Sequence, residues 1–479
     1  MTLDLGTLAL FIVGALIYGA FVPPRFRGWA LLVASVAAVY ILQPPLPIRF
    51  SDFILPTATV VLTAGGWYLT RQLGTEVSRE DRIALGVIAA VVSGLSLMRF
   101  VDADFRLTPS RPPDPLLVLL ALAVIAGVVL VVERAGRRSN ALLTGAIAVI
   151  VLLFVALKSE PLATEVSRLW RAGTGQDLAL AGIIDLNWLG FSYVAFRLIH
   201  TLRDRQNGVL PALTLREYAT YVLFFPAFVA GPIDRAERFV KDFRALPEKL
   251  GLDAARYLDG GTRIALGVCK KFVIADSLAL GLALNPVTAD QAESAPALWL
   301  LLYGYALRLY FDFSGYTDIV IGIGILFGIR LPENFNRPYL KTNIGAFWQS
   351  WHITLSNWAR FYIFSQVSRS LLTRKPKPSP VVVMLIAQMA TMIVIGLWHG
   401  IALNFLIWGL WHGIGVFVHK QWSDMTRVWY RRLSETPRRK QAWSLVGWFL
   451  TFQFVALGWV WFVLPVEQAA RVLARMFGG

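Results

Sequence analysis

The chain has 479 residues, 56% of them hydrophobic and 16% charged, with a mean hydropathy of +0.58, far more apolar than a soluble globular domain. Net charge is +16, from 46 Lys and Arg against 30 Asp and Glu, which in a soluble protein would suggest nucleic acid. Here the cations cluster in short stretches beside apolar runs, at 23–28 (PPRFRG), 133–140, 374–380 and 431–441; that pattern reads as membrane orientation and anionic-lipid contact, and no nucleic-acid partner is expected.

A hydrocarbon core takes roughly 20 apolar residues per helix. Spans are predicted at 5–22, 27–43, 53–70, 83–98, 115–132 and 141–157. The run from Leu5 lacks a basic flank before it and a small-residue cleavage site after it, so it is expected to be the first span and not a leader. Lys and Arg are nearly balanced between alternate early loops, and the expected orientation puts the N-terminus outside. Further apolar segments follow at 177–200, 214–231, 256–285, 296–311, 315–329, 344–371, 380–397, 400–419 and 443–464. Two of these, FFPAFVAGPIDR and GIGILFGI, carry Gly and Pro that predict broken or re-entrant backbone, which is tolerated at membrane depth only under cover of protein or a water-filled cavity.

Texture changes along the chain. Residues 1–175 form simple spans with few polar groups, expected on the rim of the molecule, whereas 176–479 place Asp, Asn, Ser, Tyr and His inside apolar segments and form the expected core. The single cysteine, Cys269, rules out an internal disulfide; it reads as a small filler one turn before a helix end marked by Lys270 and Lys271.

The densest polar stretch is 310–365. Asp312 and Asp318 lie in or beside a span, where an ionised group costs about 2.5–3.5 kcal/mol on insertion scales, so each needs a cavity or a partner such as Arg308 or Arg330. His352 lies among Trp348, Trp351 and Trp358, consistent with an interfacial belt or a packed, hydrogen-bonded imidazole. His399 stands between Gly396 and Gly400 in GLWHG, and His412 repeats that pentapeptide at 409–413; small flanking residues admit close approach of a helix or a ligand. His200 and His419 sit at expected span ends, His419 with Lys420, where snorkelling accounts for them. No His pair occurs at helical spacing and H-E-x-x-H is absent, so no metal site is expected, and phosphate-binding glycine motifs are absent too.

Nine segments in order, from LGFSYVAFRLIHTLRDR through FFPAFVAGPIDRAERF, GVCKKFVIADSLA, YFDFSGYTDIVIGIGILFGI, PENFNRPY, FWQSWHITLSNW, GLWHG and WGLWHG to ALGWVWFVLPVEQAARVLARMF, resemble the membrane-bound O-acyltransferase family. The likeness is to its bacterial branch of alginate O-acetylation and teichoic-acid D-alanylation membrane proteins. It implies an all-α polytopic fold, a ring of transmembrane helices with re-entrant segments around a central funnel. It implies O-acyl transfer in the cytoplasmic (inner) membrane, with His399 of G-x-W-H-G catalytic and His352 of W-H-x-x-L-S accessory. His412 matches a segment taken as packing or tunnel lining. The implied donor is acetyl-CoA or another acyl-CoA, or a carrier-protein thioester, with no bound cofactor. The implied acceptor is a hydroxyl of an extracytoplasmic glycan or envelope polymer, and acetyl is the leading acyl group.

A histidine suits that chemistry because its unperturbed pKa, about 6.5, leaves it able to take a hydroxyl proton near neutrality. Polarity and neighbourhood place Asn334, Asn336, Tyr339, Asp312, Ser314, Tyr316 and Asp318, with Trp351 and Trp398, along the cavity, where hydrogen bonds could fix an imidazole tautomer. The chain departs from the branch in one place. Where relatives commonly read EFWRRWHISLSTWLRDY, it has AFWQSWHITLSNWARFY, so Ala346, Gln349, Ser350 and Phe361 replace charged residues. Two other classes stay open at this level: an acyl-relay conduit serving a separate periplasmic acyltransferase, and a transporter or scaffold without chemistry.

Overall fold

A computed structural model describes residues 4–72, 76–134, 139–249 and 251–478. Every regular element among them is helical. Among the described residues six helices are long and apolar enough to cross a membrane: Ser51–Thr70, Arg79–Phe100, Asn140–Lys158, Ala295–Leu326, Pro380–His399 and Pro437–Val463. Helices fit that setting because they satisfy their own backbone where no water can. The protein is therefore an all-α, multi-pass membrane protein. The helices group into two compact units, one running up to Thr262 together with Val320–Leu331, the other comprising Arg263–Ile319 and the chain from Pro332 onward.

In the first unit the Gly- and Pro-rich stretch is broken as its composition suggests. Leu215–Leu223 starts with a capping box between Thr214 and Glu217 and ends after nine residues, followed by a 3₁₀ turn at Phe225–Ala227. The broken backbone is buried, and its orphaned carbonyls need donors. Arg197, 2% exposed, supplies them, giving one terminal nitrogen to the carbonyl of Val222 and the other to that of Ala227, both at 2.7 Å. The helix carrying Arg197, Phe191–Gln206, runs six residues past His200. His200 is accordingly not a snorkelling boundary residue: it is 1% exposed, with Nε2 3.3 Å from Asp204 Oδ2.

The second unit corrects several expected boundaries. The helix that begins at Ala254 does not stop at Lys270 and Lys271; it passes into π geometry over Cys269–Ala275 and on to Ala279. A π turn adds a residue to the repeat, and the two lysines reach different acids, Lys270 Nζ lying 2.6 Å from Asp318 and Lys271 bonding Asp312. Arg263 also bonds Asp318, at 2.7 Å. The intramembrane acids are thus paired, but by Arg263, Lys270 and Lys271 and not by Arg308 or Arg330; Arg330 instead faces Asp259 at 3.6 Å. Cys269 is exposed and so fills no core. Between the two ion-pair levels the helices touch through backbone: a Cβ on Gly267 would lie 2.6 Å from the Gly315 carbonyl oxygen, and one on Gly315 2.8 Å from that of Gly267.

Ala295–Leu326 is one helix of 32 residues, where two spans were expected, and it ends inside GIGILFGI, whose Gly328 turns the chain at φ 85°. At 1.5 Å per residue it extends about 48 Å, longer than a hydrocarbon core of about 30 Å. The stretch 344–371, expected as one segment, is instead Ile344–Trp348, Ile353–Ala359, a π turn at Arg360–Phe364 and Ser365–Leu372. Further on, Pro380–His399 and Leu403–Met425 form an antiparallel hairpin, and Pro437–Val463 packs against its second arm. The duplicated GLWHG explains the hairpin's closeness. A Cβ on Gly396 would lie 2.3 Å from the Phe405 carbonyl oxygen, and one on Gly409 2.6 Å from that of Met392, so only glycine admits this approach.

Candidate active site

His352 lies at a break between two short helices, in the left-handed region at φ 43° and ψ 53°. That conformation costs a non-glycine residue of order 1–3 kcal/mol and persists only where its surroundings hold it. Asn334, 0% exposed, is the clamp. Its backbone carbonyl accepts from Ile353 N–H at 2.9 Å, and its Oδ1 accepts from the Thr354 backbone N–H at 3.2 Å and hydroxyl at 2.8 Å. The same Oδ1 lies 3.1 Å from His352 Nδ1. A backbone N–H can only donate, so this Asn oxygen must be an acceptor. The His352 nitrogen facing it therefore carries the hydrogen, and Nε2 is left with the lone pair. Nε2 has no hydrogen-bond partner among the described residues. The ring is 2% exposed, packed edge-on to Phe313 at 4.8 Å and 5.9 Å from Trp398.

Trp398 connects the two signature motifs, since its ring is also 4.6 Å from that of His399. His399 is the last residue of its helix and half-buried. Phe462 at 4.8 Å, Trp408 at 5.5 Å and Phe405 at 6.0 Å complete its aromatic surround. His412, thirteen residues on, is entirely enclosed by Trp408 at 5.0 Å, Trp348 at 5.2 Å, Phe454 at 5.7 Å, Trp459 at 6.1 Å and Phe347 at 6.3 Å. Neither of its nitrogens has a hydrogen-bond partner among the described residues.

The remaining candidates divide. Trp351 is buried against Trp459, Phe335, Tyr339 and Phe347. Tyr339 is held in place, its hydroxyl donating to the Ala306 carbonyl at 2.9 Å and accepting from Trp459 Nε1 at 3.0 Å. Asn336 is exposed, its backbone N–H bonding the Ser350 carbonyl. Ser314 and Tyr316 are buried, 3% exposed each. Asp312 and Asp318 serve the lysines and Arg263, and it is Phe313 of their helix that reaches His352. Glu333, adjacent to Asn334, is bridged by both terminal nitrogens of Arg263; neither residue stood out in the sequence. Trp408 and Phe462 were missed also, having no signal beyond apolarity.

A cavity of about 440 Å³ lies along Gly345, Ala346 and Gln349, which flank Phe347 and Trp348 in the chain. Asn343, Gln349, Gln388, His419 and Lys420 supply most of its polar wall, with Ala346, Met384, Val416 and Phe417 on its apolar side. Two of the positions at which this chain departs from the branch pattern, Ala346 and Gln349, therefore face it.

Residues 188–460 match the membrane-bound O-acyltransferase family model. The chain belongs to the membrane-bound O-acyltransferase family. It is 32% identical over 291 residues to the teichoic acid D-alanyltransferase of Streptococcus thermophilus, covering 58% of this chain and 68% of that one. Over 296 residues it is 34% identical to a probable alginate O-acetylase of Pseudomonas putida, covering 60% and 54%. Over 270 residues it is 34% identical to the peptidoglycan O-acetyltransferase of Helicobacter pylori, covering 55% and 46%. The chain thus spans about half the length of the last two. All the histidines of the cluster, and the hairpin that positions two of them, lie within the matched family region.

Proposed function

We propose that this membrane-bound O-acyltransferase moves an acyl group, acetyl in the first instance, from a cytoplasmic thioester to a hydroxyl of an extracytoplasmic glycan or envelope polymer, with His399 as general base. The observation that carries the assignment is the contrast in access: His399 is half-buried at a helix end, while His352 is enclosed with Nδ1 committed to Asn334. A base must come within hydrogen-bond reach of the proton it takes, which favours His399. Its imidazole would accept the acceptor's hydroxyl proton as the oxygen attacks the thioester carbonyl. The C–S bond would then break, and the departing sulfur would take the proton back from the imidazolium. The acyl group arrives already activated, so the proposal includes no bound cofactor and no metal. His352 would contribute its Nε2 lone pair as an accessory acceptor.

The hairpin supports an orientation. Its open end and the start of Pro437–Val463 carry Arg374, Lys375, Lys377, Lys420, Arg427, Arg431, Arg432, Arg438, Arg439 and Lys440, while the 400–402 link at the other end carries no cation. By the positive-inside rule the basic end is cytoplasmic, in the inner membrane of a cell whose polymer lies beyond it. Lys420, one of the cations at that end, also lines the cavity with Gln349 and Gln388, which suits a thioester donor; the uncharged lining at Ala346 and Gln349 would set the donor this member accepts.

Purified protein in nanodiscs with radiolabelled acetyl-CoA tests the proposal. Free CoA should appear, label should pass to envelope polymer, and both should be lost in His399→Ala that accumulates normally. Turnover unchanged in that variant overturns the assignment of the base. Polymer labelled with no other protein present would exclude a relay to a periplasmic transferase.

A further inference from the structure

The segment that delivers Asn334 to His352 has no regular secondary structure from Leu331 to Phe335, so no helical ladder sets its rotation; Ile353 N–H on the Asn334 carbonyl and Asn336 N–H on the Ser350 carbonyl attach it to the His352 turn, and side chains hold its other side. Successive residues go to different partners: Asn334 to the His352 turn, Glu333 to Arg263. Arg263 is itself fixed. Its Nε bonds Asp318 at 2.7 Å, on a helix locked to its own through Gly267 and Gly315, and Lys270 adds a second cation to Asp318 at 2.6 Å. A guanidinium is a planar fork able to hold one carboxylate bidentately while bonding another, and both terminal nitrogens of Arg263 are on Glu333. The irregular segment is thereby tied to two long helices at the residue preceding the clamp.

We propose that Arg263 is a positioning residue for His352: its bridge to Glu333 fixes the rotation at which Asn334 presents Oδ1, and so holds His352 in the Nδ1–H form with the lone pair on Nε2. This deepens the accessory role given to His352 above. The bridge is open to its surroundings, with the Glu333 side chain 56% exposed and that of Arg263 27%, and an exposed ion pair adds little to stability. Its removal should therefore register at His352 and leave the fold in place.

The test uses the full chain in nanodiscs, labelled with ¹⁵N only at its five histidines, with His352 and His412 assigned by the resonances lost in His352→Gln and His412→Phe. In wild type His352 should show one tautomer, protonated at Nδ1. In Glu333→Gln and in Arg263→Met that single state should be lost to a tautomer mixture, while the His412 resonance, from the same unit, stays in place. His352 retaining its single Nδ1–H form in both variants overturns the proposal. Should Arg263→Met also displace His412, Glu333→Gln, which leaves the Arg263–Asp318 contact intact, decides by the same criterion. The spectrum involves no thioester, so a wrong donor or a wrong base would show only in the turnover assay.

Discussion

His352 and His399 stand within one aromatic cluster, joined through Trp398, yet the chain treats them oppositely. His352 sits in an energetically costly backbone conformation, sealed from its surroundings, with one nitrogen bonded to a buried amide. His399 ends a regular helix, needs no unusual backbone, and is only half-buried. Two histidines of equal prominence in the sequence are thus separated by what holds them. The enclosed one is suited to orienting or accepting a proton in a fixed geometry, the open one to meeting a substrate.

The largest effect expected from that difference is at His399. Replacing it with alanine should lower thioester turnover by about 10²–10⁴-fold, the usual contribution of a positioned base, with membrane accumulation unchanged. Steady-state release of CoA against protein level measures it, and a drop of less than tenfold would break the comparison. The next largest concerns the frame that carries His399. Gly409→Leu drives a side chain into the Met392 carbonyl, where overpacking costs typically about 1–3 kcal/mol and more against rigid backbone. The variant should unfold at lower temperature in detergent than wild type, and an unchanged melting curve would mean that the hairpin separates freely.

Asn334→Ala sharpens the other side. It leaves the Thr354 backbone N–H, the Thr354 hydroxyl and His352 Nδ1–H without their shared acceptor, and a buried donor left unsatisfied costs about 1–3 kcal/mol. Lower thermal stability together with turnover reduced less than in His399→Ala is the expected pair of results. Asn334→Asp keeps an acceptor oxygen at the site and should recover more of both than alanine does. Equal loss in the two variants would show that the amide nitrogen, not Oδ1, matters.

How far these features were legible follows from the range of the interactions behind them. Composition and hydropathy announce a helical membrane protein because apolar length is a local property. The distinction between broken and continuous backbone is not local. FFPAFVAGPIDR and GIGILFGI are flagged alike by their Gly content, but the first is broken where Arg197 reaches buried carbonyls, whereas the second holds the last turn of a 32-residue helix and stops it only at Leu326, before Gly328. The paired lysines were read as a helix end because a π turn has no simple sequence signature, although Asp312 and Asp318 already demanded partners. Asn334 and His352 were both singled out by polarity. That one clamps the other across eighteen positions, with Arg263 and Glu333 behind the clamp, exists only in three dimensions.

His412 offers the smallest expected effect and the closest check on the contrast between enclosed and reactive histidines. It carries the same pentapeptide as His399 but lies wholly within five aromatic rings, with no hydrogen-bond partner for either nitrogen among the described residues. A polar ring so placed contributes shape more than bonding, and replacing unsatisfied buried polar atoms by an apolar group of similar form is often neutral or stabilising. His412→Phe should therefore change stability by less than about 1.5 kcal/mol, as tolerated size-matched core swaps do, and leave CoA release close to wild type. His412→Ala, which empties the box, should lower the melting temperature without touching the chemistry directly. If His412→Phe instead held its melting temperature and lost turnover, enclosure could no longer separate packing histidines from reacting ones. The proton path would then have to run from His399 past Trp408 into the aromatic box.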